Sequence, residues 1–304
     1  MAETEKTVLV SGATGYIGRH LLTALVGQRL QVRALSRREK TSDRTNLQWF
    51  QADALQKETL EVPFLGVDTA YYLIHSMEPG ASDFAEREQQ AAQNFAAAAA
   101  QGGVRRIIYL SGLGCADAEL SHHLRSRQNV ARILCQGRVP VTVLRAAIII
   151  GHGGASFELM HDLVRRLPLM AIPLAIDTRC QPLALQDVIR YLTGCLDQEA
   201  SLGQSYDIGG PEVVTYHQLL ERIARQAGQI NLYFPVIKVP LSVFGRIAAL
   251  VSNVPASVAV PLLEGLNIEV VCTEQRIRDI LPIPLTPLDE AIALAIGKHR
   301  KTQE

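Results

Sequence analysis

The chain has no excess of either charge, few aromatic residues, few lysines and no paired cysteines. Thirty basic and thirty acidic side chains cancel over 304 residues. Without a polybasic field to displace counterions, nucleic acid is not an expected partner. The five cysteines (Cys115, Cys135, Cys180, Cys195 and Cys272) are odd in number and scattered, with no Cys-x-x-Cys. They fit reduced thiols in a cytoplasmic protein rather than a disulfide framework or a zinc site. The opening Met-Ala-Glu-Thr-Glu-Lys has no apolar h-region, so no secretory signal is expected. A membrane-spanning helix needs roughly 20 uninterrupted apolar residues. The most apolar long stretch, 241–263, is broken by Arg246, Asn253, Pro255 and Pro261. It reads as a buried or lobe-interface helix pair, with a surface touching a membrane or a partner as the alternative.

An apolar fraction of 48% is ample for a sizeable core. Short apolar runs at 7–11, 31–35, 47–51, 69–74, 106–110 and 141–150 read as strands. Between them lie helical patterns at 16–26, 83–100 and 121–136, the second opened by Asp83 with Glu86 three residues on. Strands alternating with helices predict an α/β fold, a Rossmann-type doubly wound parallel sheet with a smaller discontinuous C-terminal substrate lobe. The expected division is a nucleotide-binding domain over 1–151, to which 181–208 returns, and a lobe from 152–180 and 209–304. In the lobe, Thr215-x-x-Gln218 predicts a capping box, and Thr286-Pro287 opens the last helix.

Gly12-Ala-Thr-Gly15-Tyr-Ile-Gly18 stands where the first strand becomes the first helix. In that context three glycines form a dinucleotide fingerprint. The first permits the turn, the second lets backbone approach a pyrophosphate and the third lets helix pack on sheet, while the helix amino end faces the negative charge. The predicted contacts here are Gly12, Thr14, Gly15, Tyr16, Ile17 and Gly18. At the end of the second strand an NAD site wants a carboxylate; this chain has Ser36-Arg37-Arg38, whose guanidiniums suit a 2′-phosphate. NADP(H) is the expected cofactor.

At these residues the chain resembles the short-chain dehydrogenase/reductase superfamily. The glycine spacing is that of its extended and atypical branches. The segments Tyr71-Tyr-Leu-Ile-His-Ser-Met77, His123-Leu-Arg-Ser-Arg-Gln128, Leu144-Arg-Ala-Ala-Ile-Ile-Ile-Gly151, Ser156-Phe-Glu158 and Gly209-Gly-Pro-Glu212 resemble one atypical group, the YbjT-related, NmrA-like NAD(P)H-binding proteins. The resemblance implies that Asp53 contacts the adenine amino group. It places Leu73, Ile74 and His75 along the ribose and pyrophosphate, and Ile148, Ile149 and Ile150 against the nicotinamide. Ser111 matches the superfamily's active-site serine. The chain departs from the family at the Tyr-x-x-x-Lys pair: no tyrosine has a lysine four residues on, and the whole chain has six lysines. In its place stands His123-Leu-Arg-Ser-Arg127. The spacing keeps both side chains on one helix face. Arg127 suits ribose hydroxyls but is no proton donor; His123 suits general-acid work.

The resulting expectation is an NADP(H)-dependent oxidoreductase that passes hydride to an apolar or quinone-like small molecule, with Ser111, His123 and Arg127 as its catalytic set. The alternative is a non-catalytic NADP(H)-binding sensor or accessory protein that acts through a protein partner. No Gly-x-Ser-x-Gly elbow supports a hydrolase and no His-Glu-x-x-His a metal site, so no metal is expected. Peripheral membrane contact is admitted without a transmembrane segment, and the sequence leaves the oligomeric state open.

Overall fold

The computed structural model describes residues 6–74, 84–114, 122–236 and 240–303. The first half runs β1 (Thr7–Val10), α1 (Tyr16–Val26), β2 (Gln31–Ser36), β3 (Leu47–Gln51), a short α2 (Glu61–Phe64), β4 (Thr69–Tyr72), α3 (Phe84–Gln101), β5 (Arg106–Gly112), α4 (His122–Cys135) and β6 (Val141–Ala146). The chain continues through β7 (Ile149–Ile150), α5 (Ala155–Arg166), β8 (Leu169–Pro173), β9 (Arg179–Cys180), β10 (Leu183–Ala184), α6 (Leu185–Gly194) and β11 (Ser205–Ile208). It closes with β12 (Val214–Thr215), α7 (Tyr216–Ala227), β13 (Leu232–Val236), α8 (Leu241–Val251), α9 (Ala256–Glu264), α10 (Ile277–Ile280) and α11 (Leu288–Gln303).

Seven strands form one parallel sheet in the order β11-β6-β5-β4-β1-β2-β3, so the fold is the expected Rossmann type. The order reverses between β1 and β4, the switch point where such sheets open a crevice at their carboxyl ends. Both faces are covered, and side chains alternate between them with the pleat. Val8, Val10, Tyr71 and Ile108 pack with α1 and α6 residues such as Leu21, Leu25 and Val188. Leu9, Tyr72, Ile107 and Tyr109 pack with Phe95 and Ala99 of α3 and Leu134 of α4.

Two predicted strands end early. β4 stops at Tyr72 because Leu73 and Ile74 leave the ladder and cross above Gly12. The run 141–150 divides: the neighbours of β6 end opposite Ala146, at Gly112 on one side and Ile208 on the other. Ile149 and Ile150 then pair with Leu183 and Ala184 as a separate ladder. Asp83, the expected cap of α3, lies outside the described residues.

A further core gathers Phe157, Met160, Ile172, Leu219, Ile223 and Ile292 from α5, β8, α7 and α11. The Thr215–Gln218 capping box is present, with Gln218 N–H donating to Thr215 Oγ1 at 3.1 Å and Thr215 N–H donating to Gln218 Oε1 at 2.9 Å. Asp187, fully buried on α6, accepts from the Thr286 N–H at 2.8 Å and so ties the approach to α11 to the sheet. The stretch 241–263 does form a helix pair. Gly245 brings α8 and α9 together, since a Cβ there would lie 2.6 Å from Val260 Cα. The pair is not simply buried: Val243, Ile247 and Leu250 of α8 are exposed.

Candidate nucleotide site

The carboxyl ends of β1 and β4 bracket the Gly12–Gly18 loop. Gly12 has φ +65, and a Cβ on it would sit 2.2 Å from the Leu73 carbonyl oxygen. The turn therefore requires glycine by conformation and by space. At Gly18 a Cβ would meet the Gly12 carbonyl at 2.2 Å, so the third glycine lets α1 settle on the turn. Gly15 N–H donates to Gly12 O at 2.9 Å, and Gly15 O accepts from Arg19 N–H at 3.0 Å. No side chain caps α1 and its first turn has no acidic residue. The amide donors at its amino end are thus left for an anion.

Two cavities meet at this loop. One, of about 380 Å³, is lined by Gly12, Thr14, Gly15, Ser36, Arg37 and Asp53, with Leu73 and Ile74 from the loop after β4. The other, of about 310 Å³, is lined by Gly12, Gly15, Tyr16, Ile17, Gly18, Ser111, Arg127, Ile148 and Ile149. Gly12, Gly15 and Leu73 belong to both, so a continuous crevice runs from Asp53 across the glycine turn to Ser111. The residues fit a dinucleotide: a phosphate-binding helix end in the middle, a polar pocket on one side and a flatter, apolar one on the other.

Most of the predicted residues converge here, and some do not. Arg38 is exposed and does not line the crevice; its N–H donates to Ser36 Oγ at 3.2 Å. Ile150 is buried in the core of Phe157 and Met160 rather than lining the cavity with Ile148 and Ile149. His75 lies outside the described residues, as does the His123 side chain, whose backbone stands in the first turn of α4. Asp53 accepts from the Leu55 N–H at 3.0 Å through Oδ1, which fixes the carboxylate at the mouth of the first cavity.

Arg127 is 1% exposed and forms part of the floor of the second cavity. Its Nη2 lies 3.5 Å from Glu88 Oε1, and Glu88 also accepts from Ser126 Oγ. Nε and Nη2 have no hydrogen-bond acceptor among the described residues. Burial lowers its pKa to about 9, still above neutrality, so the group is a fixed cation. Ser111 is buried at the end of β5 beside Tyr109, whose phenol is pushed up by burial first and whose hydroxyl donates to Arg127 O at 3.2 Å. The Tyr16 hydroxyl packs against Gly151 and Gly154 and has no hydrogen-bond partner among the described residues. Desolvation, and then the charge of Glu158, raise its pKa.

Two contributors were not visible in the sequence. Arg87 reaches the first cavity from α3, and Leu262 reaches the second from α9. Both lie far along the chain from the fingerprint, and neither sits in a motif; only the packing of α3 and α9 brings them in.

Residues 12–154 match the NAD(P)H-binding family. Over 244 residues the chain is 25% identical to the mitochondrial NADH dehydrogenase [ubiquinone] 1 alpha subcomplex subunit 9 of Arabidopsis thaliana, covering 75% of this chain and 61% of that one. The chain thus spans less than two thirds of that relative. It is 26% identical over 264 residues to a (4-alkanoyl-5-oxo-2,5-dihydrofuran-3-yl)methyl phosphate reductase of Streptomyces griseus, covering 85% of each chain. In three dimensions it is similar to a nucleoside-diphosphate-sugar epimerase of Staphylococcus aureus, with TM-score 0.75 and 19% identity over 94% of this chain and 99% of that one. The match to the NAD(P)H-binding family thus covers 143 of the 304 residues, just under half of the chain, and the likeness to the epimerase is one of fold.

Proposed function

We propose that the protein binds NADP(H) along this crevice and reduces an apolar or quinone-like small molecule. The observation that carries the reading is the uncapped amino end of α1, which opens between two cavities that share Gly12 and Gly15. The α1 amide donors receive the pyrophosphate. Arg37 and Arg87 hold the 2′-phosphate in charge-assisted bonds. Asp53 accepts from the adenine amino group, and Leu73 and Ile74 lie along the adenosine ribose and pyrophosphate. Arg127 holds the second ribose, and Ile148 and Ile149 support the nicotinamide from below. Once bound, the dinucleotide supplies a hydride. Ser111 donates to the negative charge that develops on the acceptor, and His123 returns the proton. The segments 152–180 and 209–304 select the acceptor, while 1–151 and 181–208 hold the nucleotide. A reducing compartment such as the cytoplasm suits the chain, whose described cysteines are free thiols.

The name of the Streptomyces relative supports a reductase. The replaced Tyr-x-x-x-Lys pair and the respiratory-subunit relative favour a second reading, a non-catalytic NADP(H)-binding accessory protein. A screen of quinones and enones for NADPH oxidation separates the two. Under the first reading an acceptor is found, and Ser111→Ala and His123→Gln each lower turnover by about a hundredfold. Undiminished turnover in both variants rejects these roles. A protein that binds NADPH tightly yet oxidises it with none of the acceptors fits the accessory reading.

A further inference from the structure

We infer that the outer face of the α8–α9 helix pair docks on an anionic lipid bilayer. Val243, Ile247 and Leu250 follow one another at i, i+4 and i+7 on α8 and are 39%, 50% and 87% exposed. The opposite side of the same helix is buried through Gly245 and Ala248, the latter packed with Leu159, Val254 and Ala259. A surface helix of a water-soluble protein keeps polar residues on its outer face. Here that face is a continuous apolar stripe, whereas isolated exposed apolar residues are ordinary.

Among the described residues, the exposed charges named around the stripe are arginines. Arg246 borders it on the same helix and is exposed. At its carboxyl end Arg166 of α5 donates to the Val251 carbonyl at 2.5 Å, and Arg165 stands exposed beside it. The nearby acid, Asp162, is buried and engaged by the Asn253 N–H at 2.8 Å and by Arg166. The remaining acid of the pair, Glu264, ends α9. From the same end of α5 the β8–β13 ladder starts with two further exposed apolar residues, Leu169 and Leu232, in register with each other. An apolar stripe with a cationic border is the pattern of a helix lying in the interface of an anionic membrane. No described helix is long and apolar enough to cross one, so the contact is peripheral.

The position of α9 gives the contact a use. Leu262 of α9 lines the second cavity of the crevice. A lipid-dissolved acceptor would reach the hydride site along this pair. That part rests on the reductase reading; the docking surface does not.

Flotation of the full chain with vesicles of phosphatidylcholine alone, and of phosphatidylcholine mixed with phosphatidylglycerol, tests the inference. The chain is expected to float with the mixed vesicles, less so as salt rises, and the double variant Ile247→Glu/Leu250→Glu to bind at least about tenfold more weakly. Because both side chains face outward, the variant should keep the parent melting temperature and its response to NADPH. No flotation at low salt, equal flotation of the variant, or equal binding to uncharged vesicles would each overturn the proposal. So would a dimer in sedimentation that the same variant dissolves, which would assign the stripe to a second copy. A protein that floats but does not bind NADPH would leave the docking surface standing and remove the reductase.

Discussion

Arg127 and Glu88 face each other at the Ser111 end of the crevice, 3.5 Å apart, with side chains 2% and 3% exposed. Each pays for its burial only while the other is present. Arg127→Met should therefore destabilise the fold by about 3 to 5 kcal/mol, while Arg127→Met/Glu88→Leu should recover most of that loss. Urea unfolding of the two variants checks it; a double variant no more stable than the single one would show that the pair is not the coupled unit described.

Gly12 and Gly18 test the turn itself. Gly12→Ala places a methyl 2.2 Å from the Leu73 carbonyl at φ +65, and Gly18→Ala places one 2.2 Å from the Gly12 carbonyl. Both should abolish the NADPH-dependent rise in melting temperature. Gly265→Ala, which meets nothing within 4 Å, should leave it unchanged.

How much of this arrangement could be read in advance follows from distance along the chain. The glycine turn, the strand–helix alternation and the Thr215 cap are encoded within a few residues, and each stands where the pattern places it. Arg87 and Leu262 enter the crevice only through the packing of α3 and α9, which no local period describes. Ile150 is expected beside Ile149 only through the family resemblance, which names a segment and not the face each side chain takes. Once the neighbours of β6 end, the ladder turns away and Ile150 faces the other core.

Stability should fall as the solution becomes alkaline. Burial raises Cys195 to about 11, and Cys180 and Cys272 to about 12, from 9.0. Buried tyrosines such as Tyr72 and Tyr109 are raised as well. Above pH 9 the unfolded chain loses protons that the folded chain keeps, so unfolding becomes more favourable until the folded groups also ionise. Arg127, lowered to about 9, and Arg33, also lowered by burial, act in the opposite sense, but they are two groups against several. Urea midpoints between about pH 8 and pH 11 should fall, and Cys180→Ala/Cys195→Ala should reduce the slope. A flat profile would contradict the burial of these groups.

The proposed selection of the phosphorylated adenosine rests on Arg37, just after β2, and Arg87 of α3, which line one pocket. Arg37→Ala and Arg87→Ala should each weaken NADPH by about 10- to 100-fold and change NADH affinity little. Arg38→Ala, outside the pocket, should do neither.

The most direct measurement is a calorimetric titration of the full chain with NADPH and with NADH. One saturable site per chain is expected, tighter for NADPH and lost in Gly12→Ala. Absence of binding by either nucleotide would contradict the assignment of the α1 amino end to a pyrophosphate, and tighter NADH would contradict the role of the two arginines.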